Sequence, residues 1–347
     1  MTNHPTDRVS VFWVGHSLME TTAQSQQGPI NLLTLLGDLA ASRGLSYEHG
    51  DHTLWGSSLS TLWQGKAHRY KREAPEMLQK RQQFQEQAGT FDTLVMTELI
   101  PISWSSKQEF TSFYIRKFAC EILSARPDAR IFLYQGWSHF QSQSGGDLHK
   151  DLSSYSAWLA TMATDRTIWQ SIIEQAQQPR VPSPSLLSRF GIHHMSDAGC
   201  NLSFKIDLIP IGDILVSLAN ELAEENNSQY TLPDATPFRL EHFFANPYLP
   251  SLPTRLHKGH EKAKPEQSST WILQNQEIPW DDIHPSAIGI YIISLISFST
   301  IYKQSPVGLP SIPEVGDQLA AKLQNYVWHK LAQQSDDRSK LNNFCLA

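Results

Sequence analysis

Short apolar runs alternate with longer segments of helical periodicity along most of the chain. The apolar runs predict buried strands, and helical spacing such as that of Leu32, Leu35, Leu36 and Leu39 predicts the helices between them. This alternation is typical of an α/β protein with a mostly parallel sheet covered by helices. The predicted strands are Val9–Val14, Leu45–His49, Asp51–Trp55, Thr93–Thr97, Arg130–Gln135 and Ile206–Pro210, and the predicted helices are Ile30–Arg43, Ala67–Ala88, Gln108–Ala125, Asp151–Gln177, Gly212–Glu225 and Pro285–Lys303.

The sequence of 347 residues has no internal repeat and no segment that reads as a linker between domains. We therefore expect a single domain over residues 1–347, a length sufficient to bury a large core. Stretches rich in proline, polar residues and histidine predict loop insertions around residues 181–200 and 226–279. The polar segment after residue 334 predicts a loosely held tail.

Composition and charge exclude several classes of partner. The net charge is -6, and no block of lysine and arginine provides an electrostatic footprint for nucleic acid. The basic stretch Arg255–Lys264 is interrupted by Glu261 and predicts a solvated loop. The longest apolar run, Ala287–Ile301, is short for a bilayer and carries serine and threonine, so we expect no membrane span.

The first residues lack the charged-then-apolar pattern of a signal peptide. A cytoplasmic location is therefore the default expectation, and an exported one stays open if a leader has been removed. The sequence does not give the oligomeric state. The three cysteines, Cys120, Cys200 and Cys345, are far apart and predict neither a disulfide framework nor a zinc site, although a single bridge stays open. Cys120 lies in an apolar helical pattern, where we expect it to serve packing.

A candidate nucleophile follows the first predicted strand. Gly15 permits a tight exit from the strand, and Ser17 then stands at the start of the next segment, near the carboxyl edge where α/β proteins bind ligands. Free backbone N–H groups at such a turn can stabilise an oxyanion. Ser17 could equally cap a helix, which is the common role of a serine at this place.

A candidate acid–base pair precedes the last apolar helix. Asp281 and His284 are three residues apart, and Pro285 suits the first position of a helix. At this spacing the carboxylate can turn back to one imidazole nitrogen and leave the other to take a serine proton. The alternative is a helix-capping aspartate beside an exposed histidine.

Together the two motifs resemble those of the SGNH (GDSL-like) serine hydrolases. Gly15–Leu18 stands where that family has Gly-Asp-Ser-Leu or Gly-Asn-Ser, and Asp281–His284 stands at its closing motif. The segments Trp137–His139 and Ser305–Pro310 resemble those of a little-characterised bacterial subgroup. The resemblance covers roughly residues 8 to 310. It implies a three-layer α/β/α sandwich, flavodoxin-like, with a central sheet of about five strands.

The resemblance also implies a catalytic triad of Ser17, Asp281 and His284, with backbone N–H groups of Ser17 and Gly56 in the oxyanion hole. The family's additional asparagine donor is missing, because Thr97 and Glu98 occupy the corresponding strand end. An ionised glutamate only accepts hydrogen bonds and would repel an oxyanion. Protonation of Glu98, a contact of Glu98 with substrate, a hydroxyl contributed by Thr97, and a structural role for Glu98 all stay open.

Two further residues are candidates for contact with substrate. His16 replaces the usual acidic neighbour of the nucleophile, and Trp137 follows a strand on the same rim, although each could instead pack inward. The expected reaction is hydrolysis of a small acyl or acetyl ester on a carbohydrate-like substrate, with no cofactor and no metal. Sulfate-ester hydrolysis, O-acyl transfer and a non-catalytic glycan-binding role stay open as alternatives.

Overall fold

The structure is a computed structural model that describes residues 7–65, 75–108, 110–138, 152–184, 194–223, 229–244, 271–273, 276–278 and 283–344. Its strands are β1 (Arg8–Gly15), β2 (Thr22–Ser25), β3 (Gly28–Asn31), β4 (Ser46–Thr53), β5 (Thr93–Met96), β6 (Arg130–Tyr134), β7 (Val181–Ser183), β8 (His194–Ser196), β9 (Ile206–Ile209), β10 (Trp271–Leu273) and β11 (Gln276–Ile278). Its α-helices are α1 (Ser17–Glu20), α2 (Leu32–Ser42), α3 (Leu59–Gln64), α4 (Pro75–Gln87), α5 (Ile102–Gln108), α6 (Thr111–Ala125), α7 (Leu152–Gln177), α8 (Ile211–Ala223), α9 (Ala287–Tyr302) and α10 (Gly316–Phe344).

Five strands form one parallel sheet in the order β4-β1-β5-β6-β9. Numbered along the chain, these strands follow the order 2-1-3-4-5, which is the flavodoxin-like arrangement. In such a sheet the connections run in opposite directions from the first strand, so a crevice opens at the carboxyl ends of the first and third strands, here β1 and β5. The predicted α/β fold with a central parallel sheet of about five strands is confirmed.

Helices cover both faces of this sheet. Along β1, Val9, Val11 and Trp13 pack towards α2, α8, α9 and α10, whereas Phe12 and Val14 pack towards α3, α4 and α6. Helix α7 contacts both α6 and α8, and it therefore lies across the edge of the sheet beside β9. The inner strands β1, β5 and β6 are buried on both faces, which is why their sequences are mainly apolar without alternation, whereas the edge strand β4 is polar and largely outside the core.

Helix α9 is the apolar run near the end of the sequence. Every residue of Ala287–Tyr302 is buried, because the helix lies in the core and α10 packs against it through Leu319, Leu323 and Val327. A helix that is apolar on all sides is expected in such a position. Within the part of the chain that the structure describes, no helix is both long and apolar enough to cross a membrane.

Three elements, α2, β4 and α10, differ from the predicted ones in where they begin or end. Helix α2 begins at Leu32 rather than Ile30, because the antiparallel pair β2–β3 extends to Asn31, whose side chain caps the helix by accepting from the Thr34 amide. The two extended segments predicted between residues 45 and 55 form one strand, β4. Helix α10 continues to Phe344, through positions where the sequence predicted a loosely held tail.

A disulfide joins Cys120 on α6 to Cys200 in the segment before β9, with a Cα–Cα distance of 5.9 Å. The sequence predicted only a packing role for Cys120 and left a single bridge open. The structure shows that Cys120 forms such a bridge. One turn earlier on α6, the buried Arg116 donates to the carbonyl oxygens of Asp197, Cys200 and Leu202. Helix α6 thus holds the segment that leads into β9 by a disulfide bond and by the hydrogen bonds of Arg116.

Candidate active site

The turn after β1 places Ser17 at the carboxyl edge of the sheet. A Cβ on Gly15 would lie 2.6 Å from Thr97 Cγ2 and 2.8 Å from Met19 Sδ, so this close approach of β1 to β5 requires glycine. His16 is extended, and Ser17 begins the single turn of α1. Thr21 ends that turn, with both its amide and its hydroxyl donating to the Ser17 carbonyl. The serine backbone is therefore held firmly at the sheet edge.

Ser17 and His284 meet although they are 267 positions apart in sequence. His284 Nε2 lies 2.9 Å from Ser17 Oγ, within hydrogen-bonding distance. Ser17 is 8% exposed and His284 7% exposed, so the pair is largely shielded from bulk water but still reachable. This contact is the nucleophile–base geometry that acyl transfer requires.

The loop that carries His284 is anchored on both sides. Before the histidine, the Ile283 carbonyl accepts from Trp137 Nε1 at 2.9 Å. After it, the Ser286 amide donates to the Phe243 carbonyl at 2.8 Å, and the Ser286 hydroxyl caps α9 by accepting from Gly289 N. These contacts fix the start of α9 and, with it, the position of the imidazole.

Trp137 lies after β6 as expected, but its side chain is fully buried in the core. It does not form the exposed stacking surface at the rim that we had considered for it. Its indole supports the His284 loop instead, because its N–H is the donor to Ile283. Asp281 and His139 lie outside the described residues, so the structure gives no position for the third member of the expected triad.

Trp55 and Gly56 form the tip of the loop after β4. Gly56 has a φ of 64°, a left-handed conformation that favours glycine, and the Ser57 amide closes the turn on the Leu54 carbonyl. The Leu54 amide donates to the Gly15 carbonyl at 3.1 Å, which joins this loop to the end of β1. Gly56 is solvent-exposed.

Trp55 stacks on the catalytic candidate His284, with 4.7 Å between ring centroids and 26° between planes. The indole is 37% exposed, so one part of it covers the imidazole and another part faces solvent. No role for Trp55 was predicted from the sequence. Its only sequence signal is its place immediately before Gly56, because the stacking depends on how the β4 loop folds over the sheet edge.

His16 is buried, and its Nε2 lies 2.9 Å from the carbonyl oxygen of Glu98. A carbonyl only accepts, so Nε2 carries a hydrogen. Burial lowers the pKa of His16 to about 4. The hydrogen bond to the Glu98 carbonyl raises this pKa and the nearby His284 lowers it, and both effects are smaller than that of burial. The His16 ring is therefore neutral near pH 7.

Neither side chain at the end of β5 presents an unused donor to the crevice. The Thr97 hydroxyl donates to the Tyr134 carbonyl on the neighbouring strand at 2.9 Å. Glu98 is fully buried, and its carboxylate accepts from the amides of Leu59 and Leu99 and from the hydroxyl of Thr111. Thr97 and Glu98 thus lie beside the site as expected, with their polar atoms engaged by the protein.

Within the described ranges, no group of three or more His, Cys, Asp or Glu side chains is arranged to hold a metal ion. The described residues at the crevice bring together the hydroxyl of Ser17 and the imidazole of His284.

No protein-family model matches the chain, and no curated protein matches it. Among solved structures, a DUF4886 family protein from Bacteroides uniformis is similar over 95% of this chain and 96% of its own, at 13% identity and a TM-score of 0.44. A protein from Slackia heliotrinireducens, provisionally named an SGNH hydrolase, is similar over 85% of this chain and 99% of its own, at 11% identity and a TM-score of 0.38.

A protein from Parabacteroides merdae, provisionally named a GDSL-like lipase, is similar over 85% of this chain and 95% of its own, at 10% identity and a TM-score of 0.38. Structural neighbours of the chain thus include SGNH and GDSL-like hydrolases. At these identities and TM-scores, the likenesses carry no conclusion about the reaction, the substrate or the site of this chain.

Proposed function

We propose that this protein is a serine esterase of the SGNH type, with Ser17 as its nucleophile and His284 as its general base. The observation that carries the proposal is the 2.9 Å contact between Ser17 Oγ and His284 Nε2 at the carboxyl edge of a parallel sheet. It is supported by the order of the two sequence motifs. The loops of both residues are anchored by the protein backbone, which favours a geometry fixed before substrate binds.

In the proposed reaction, His284 Nε2 takes the hydroxyl proton while Ser17 Oγ attacks the ester carbonyl carbon. The N–H groups of Ser17 and Gly56 are assigned to the resulting oxyanion. His284 then gives its proton to the departing alcohol, and water cleaves the acyl-enzyme by the same route. Asp281 is assigned to the other imidazole nitrogen, where it would orient the ring and stabilise the imidazolium.

For the substrate we propose a small acyl ester, such as an acetyl ester, on a carbohydrate-like alcohol. The exposed part of Trp55 beside His284 supports this class, because an indole face packs well against a sugar ring. Glu98 was the feature that kept sulfate-ester hydrolysis and acyl transfer open. Its carboxylate is engaged by two amides and a hydroxyl of the protein, so no observation favours either alternative.

The test is a panel of acetylated oligosaccharides, longer-chain acyl esters and aryl sulfates, followed by release of acetate, fatty acid or sulfate. We expect release of acetate, and we expect Ser17→Ala to lower kcat by about 10³-fold or more. Ser299→Ala is the matched control, because this buried serine donates to Leu295 O inside α9, away from the crevice. Near-wild-type turnover by folded Ser17→Ala protein would exclude Ser17 as the nucleophile.

A further inference from the structure

Glu98 is fully buried at the end of β5, where the chain departs from the family that it resembles. We propose that Glu98 is a positioning residue that fixes the Ser17 loop and the Gly56 loop relative to one another. This inference rests on the proposed function, since those two loops carry the nucleophile and the assigned oxyanion donors. In this proposal Glu98 stands where the resembled family has its asparagine donor, but it contacts backbone groups of the protein and not the substrate.

The side chain of Glu98 holds the element that follows Gly56. Its Oε1 accepts from Leu59 N at 3.2 Å and from Leu99 N at 2.7 Å. Leu59 is the first residue of α3, so its amide is one of the donors that a helix cannot satisfy within itself. Ser58 caps the same turn by accepting from the Thr61 amide. The beginning of α3, three residues after Gly56, is thus fixed to the end of β5.

The other carboxylate oxygen reaches a third element. Glu98 Oε2 accepts from Thr111 Oγ1 at 2.9 Å, and Thr111 begins α6. If the carboxylate swung towards the crevice, the buried Leu59 amide and the partly buried Leu99 amide would lose this acceptor, and the Thr111 hydroxyl would keep its 3.3 Å contact with the Ser105 carbonyl. An amide left without an acceptor in a buried place is costly, so a side chain whose oxygen accepts from both amides suits this position.

The backbone of Glu98 holds the nucleophile's own turn. Its carbonyl oxygen accepts from His16 Nε2 at 2.9 Å, and His16 directly precedes Ser17. This hydrogen bond crosses the crevice between β1 and β5. One residue therefore contacts the Ser17 loop through its carbonyl and the start of α3 through its carboxylate, and a shift of Glu98 would move both loops. A displacement of about 1 Å in such a site can cost about 10²-fold in rate.

The experiment compares Glu98→Ala and Glu98→Gln with Asp92→Ala as the matched control. Asp92 stands just before β5, as Glu98 stands just after it, and it likewise accepts from a backbone amide, Ser10 N, and from a threonine hydroxyl, that of Thr93. Asp92 lies at the amino ends of the strands, whereas Ser17 lies at their carboxyl ends. Each variant is assayed for kcat and KM, and for amide hydrogen exchange in peptides covering residues 15–19 and 54–60.

We expect Glu98→Ala to lower kcat by about 10–100-fold while KM changes little, and to speed exchange in both peptides. Glu98→Gln should restore most of kcat, because its oxygen accepts from the two amides and its NH₂ donates to Thr111. Asp92→Ala should leave kcat and both peptides near wild type. If Glu98→Ala does not fold, Thr111→Val, which removes one partner, is expected to give a smaller fall in kcat with the same exchange pattern.

Unchanged kcat in folded Glu98→Ala, or in Thr111→Val where the alanine variant does not fold, would overturn the inference. Glu98→Gln as impaired in kcat as Glu98→Ala would also overturn it, since that result would show that the charge itself acts in the reaction. The exchange measurement needs no substrate, so coupling of the two loops is tested even if Ser17 proves not to be a nucleophile. If wild-type protein showed no turnover that depends on Ser17, while exchange in both peptides still responded to Glu98→Ala, the result would count against the proposed function alone.

Discussion

At the scale of single residues, the contact between Ser17 and His284 could be expected from sequence, because Gly15–Leu18 and Asp281–His284 together resemble the motifs of the SGNH hydrolases. The surroundings of the pair could not. The stacking of Trp55 on His284 depends on the path of the β4 loop, and the partners of Glu98 come from three separate segments. No spacing in the sequence encodes such contacts, so the role of Glu98 could not be predicted from the sequence alone.

Trp55→Leu is expected to lower kcat about 2–10-fold, because an aromatic pair contributes about 0.5–1.5 kcal/mol beyond its buried area and here restrains the imidazole. KM for a carbohydrate ester should rise as well, if the exposed part of the indole contacts the sugar. Steady-state kinetics with Trp104→Leu as the control provide the check, since Trp104 is a comparably exposed tryptophan, on α5. Equal kcat and KM values for the two variants would contradict a role of Trp55 in the site.

His52 is expected to make the protein less stable in mild acid. It is buried, neither of its ring nitrogens has a hydrogen-bond partner among the described residues, and burial lowers its pKa to about 4. Between pH 6.5 and 4 the unfolded chain binds a proton that the folded protein does not, so stability falls as pH falls through this window. Urea denaturation at pH 7 and pH 5 should show this loss reduced by roughly 1–2 kcal/mol in His52→Leu. An identical pH dependence in the variant would contradict the assignment.

At the scale of elements, β1, β5 and β6 could be predicted because each is a mainly apolar run between polar loops, whereas the polar edge strand β4 was predicted as two separate extended segments. Boundaries set by tertiary contacts could not be predicted. Helix α2 starts late because a hairpin ends at Asn31, and α10 extends to Phe344 although its last residues are polar. The loop before α9 shows the same limit, since its support comes from Trp137, far away in sequence.

Trp137→Phe is expected to lower kcat several-fold and stability by about 1 kcal/mol, because the Ile283 carbonyl beside His284 loses its buried donor. Trp13→Phe is the matched control, as the equally buried Trp13 donates through Nε1 to the Tyr47 hydroxyl within the core. Denaturant unfolding and steady-state kinetics of both variants separate the two effects. A similar fall in kcat for both would mean that Trp137 has no particular effect on the His284 loop.

At the scale of the whole molecule, strand order follows from the sequence only in part. The alternation of strands and helices predicts a parallel sheet, and the 2-1-3-4-5 order places the ends of β1, β4 and β5 together, where Ser17, Gly56 and Glu98 lie. The pairing of Cys120 with Cys200 could not be read from spacing, because it depends on α6 lying beside the segment before β9.

The disulfide is expected to stabilise the fold without affecting the site. Cys120 and Cys200 are 80 positions apart, and closing a loop of that length contributes about 2–4 kcal/mol, chiefly by restricting the unfolded chain. Cys120→Ser should therefore lower the free energy of unfolding by that amount under oxidising conditions and leave kcat unchanged. Mass measurement of free thiols shows whether the bond forms, and equal stability of variant and wild type would speak against its contribution.

The account depends most on the claim that Ser17 is a nucleophile activated by His284, and a fluorophosphonate probe followed by peptide mass mapping tests it directly. We expect the wild-type protein to acquire one label, on Ser17. The label should be absent in Ser17→Ala and should form at least about 10²-fold more slowly in His284→Ala, because a serine without its base is a weak nucleophile. Labelling at another residue, or no labelling of folded wild-type protein, would contradict the account.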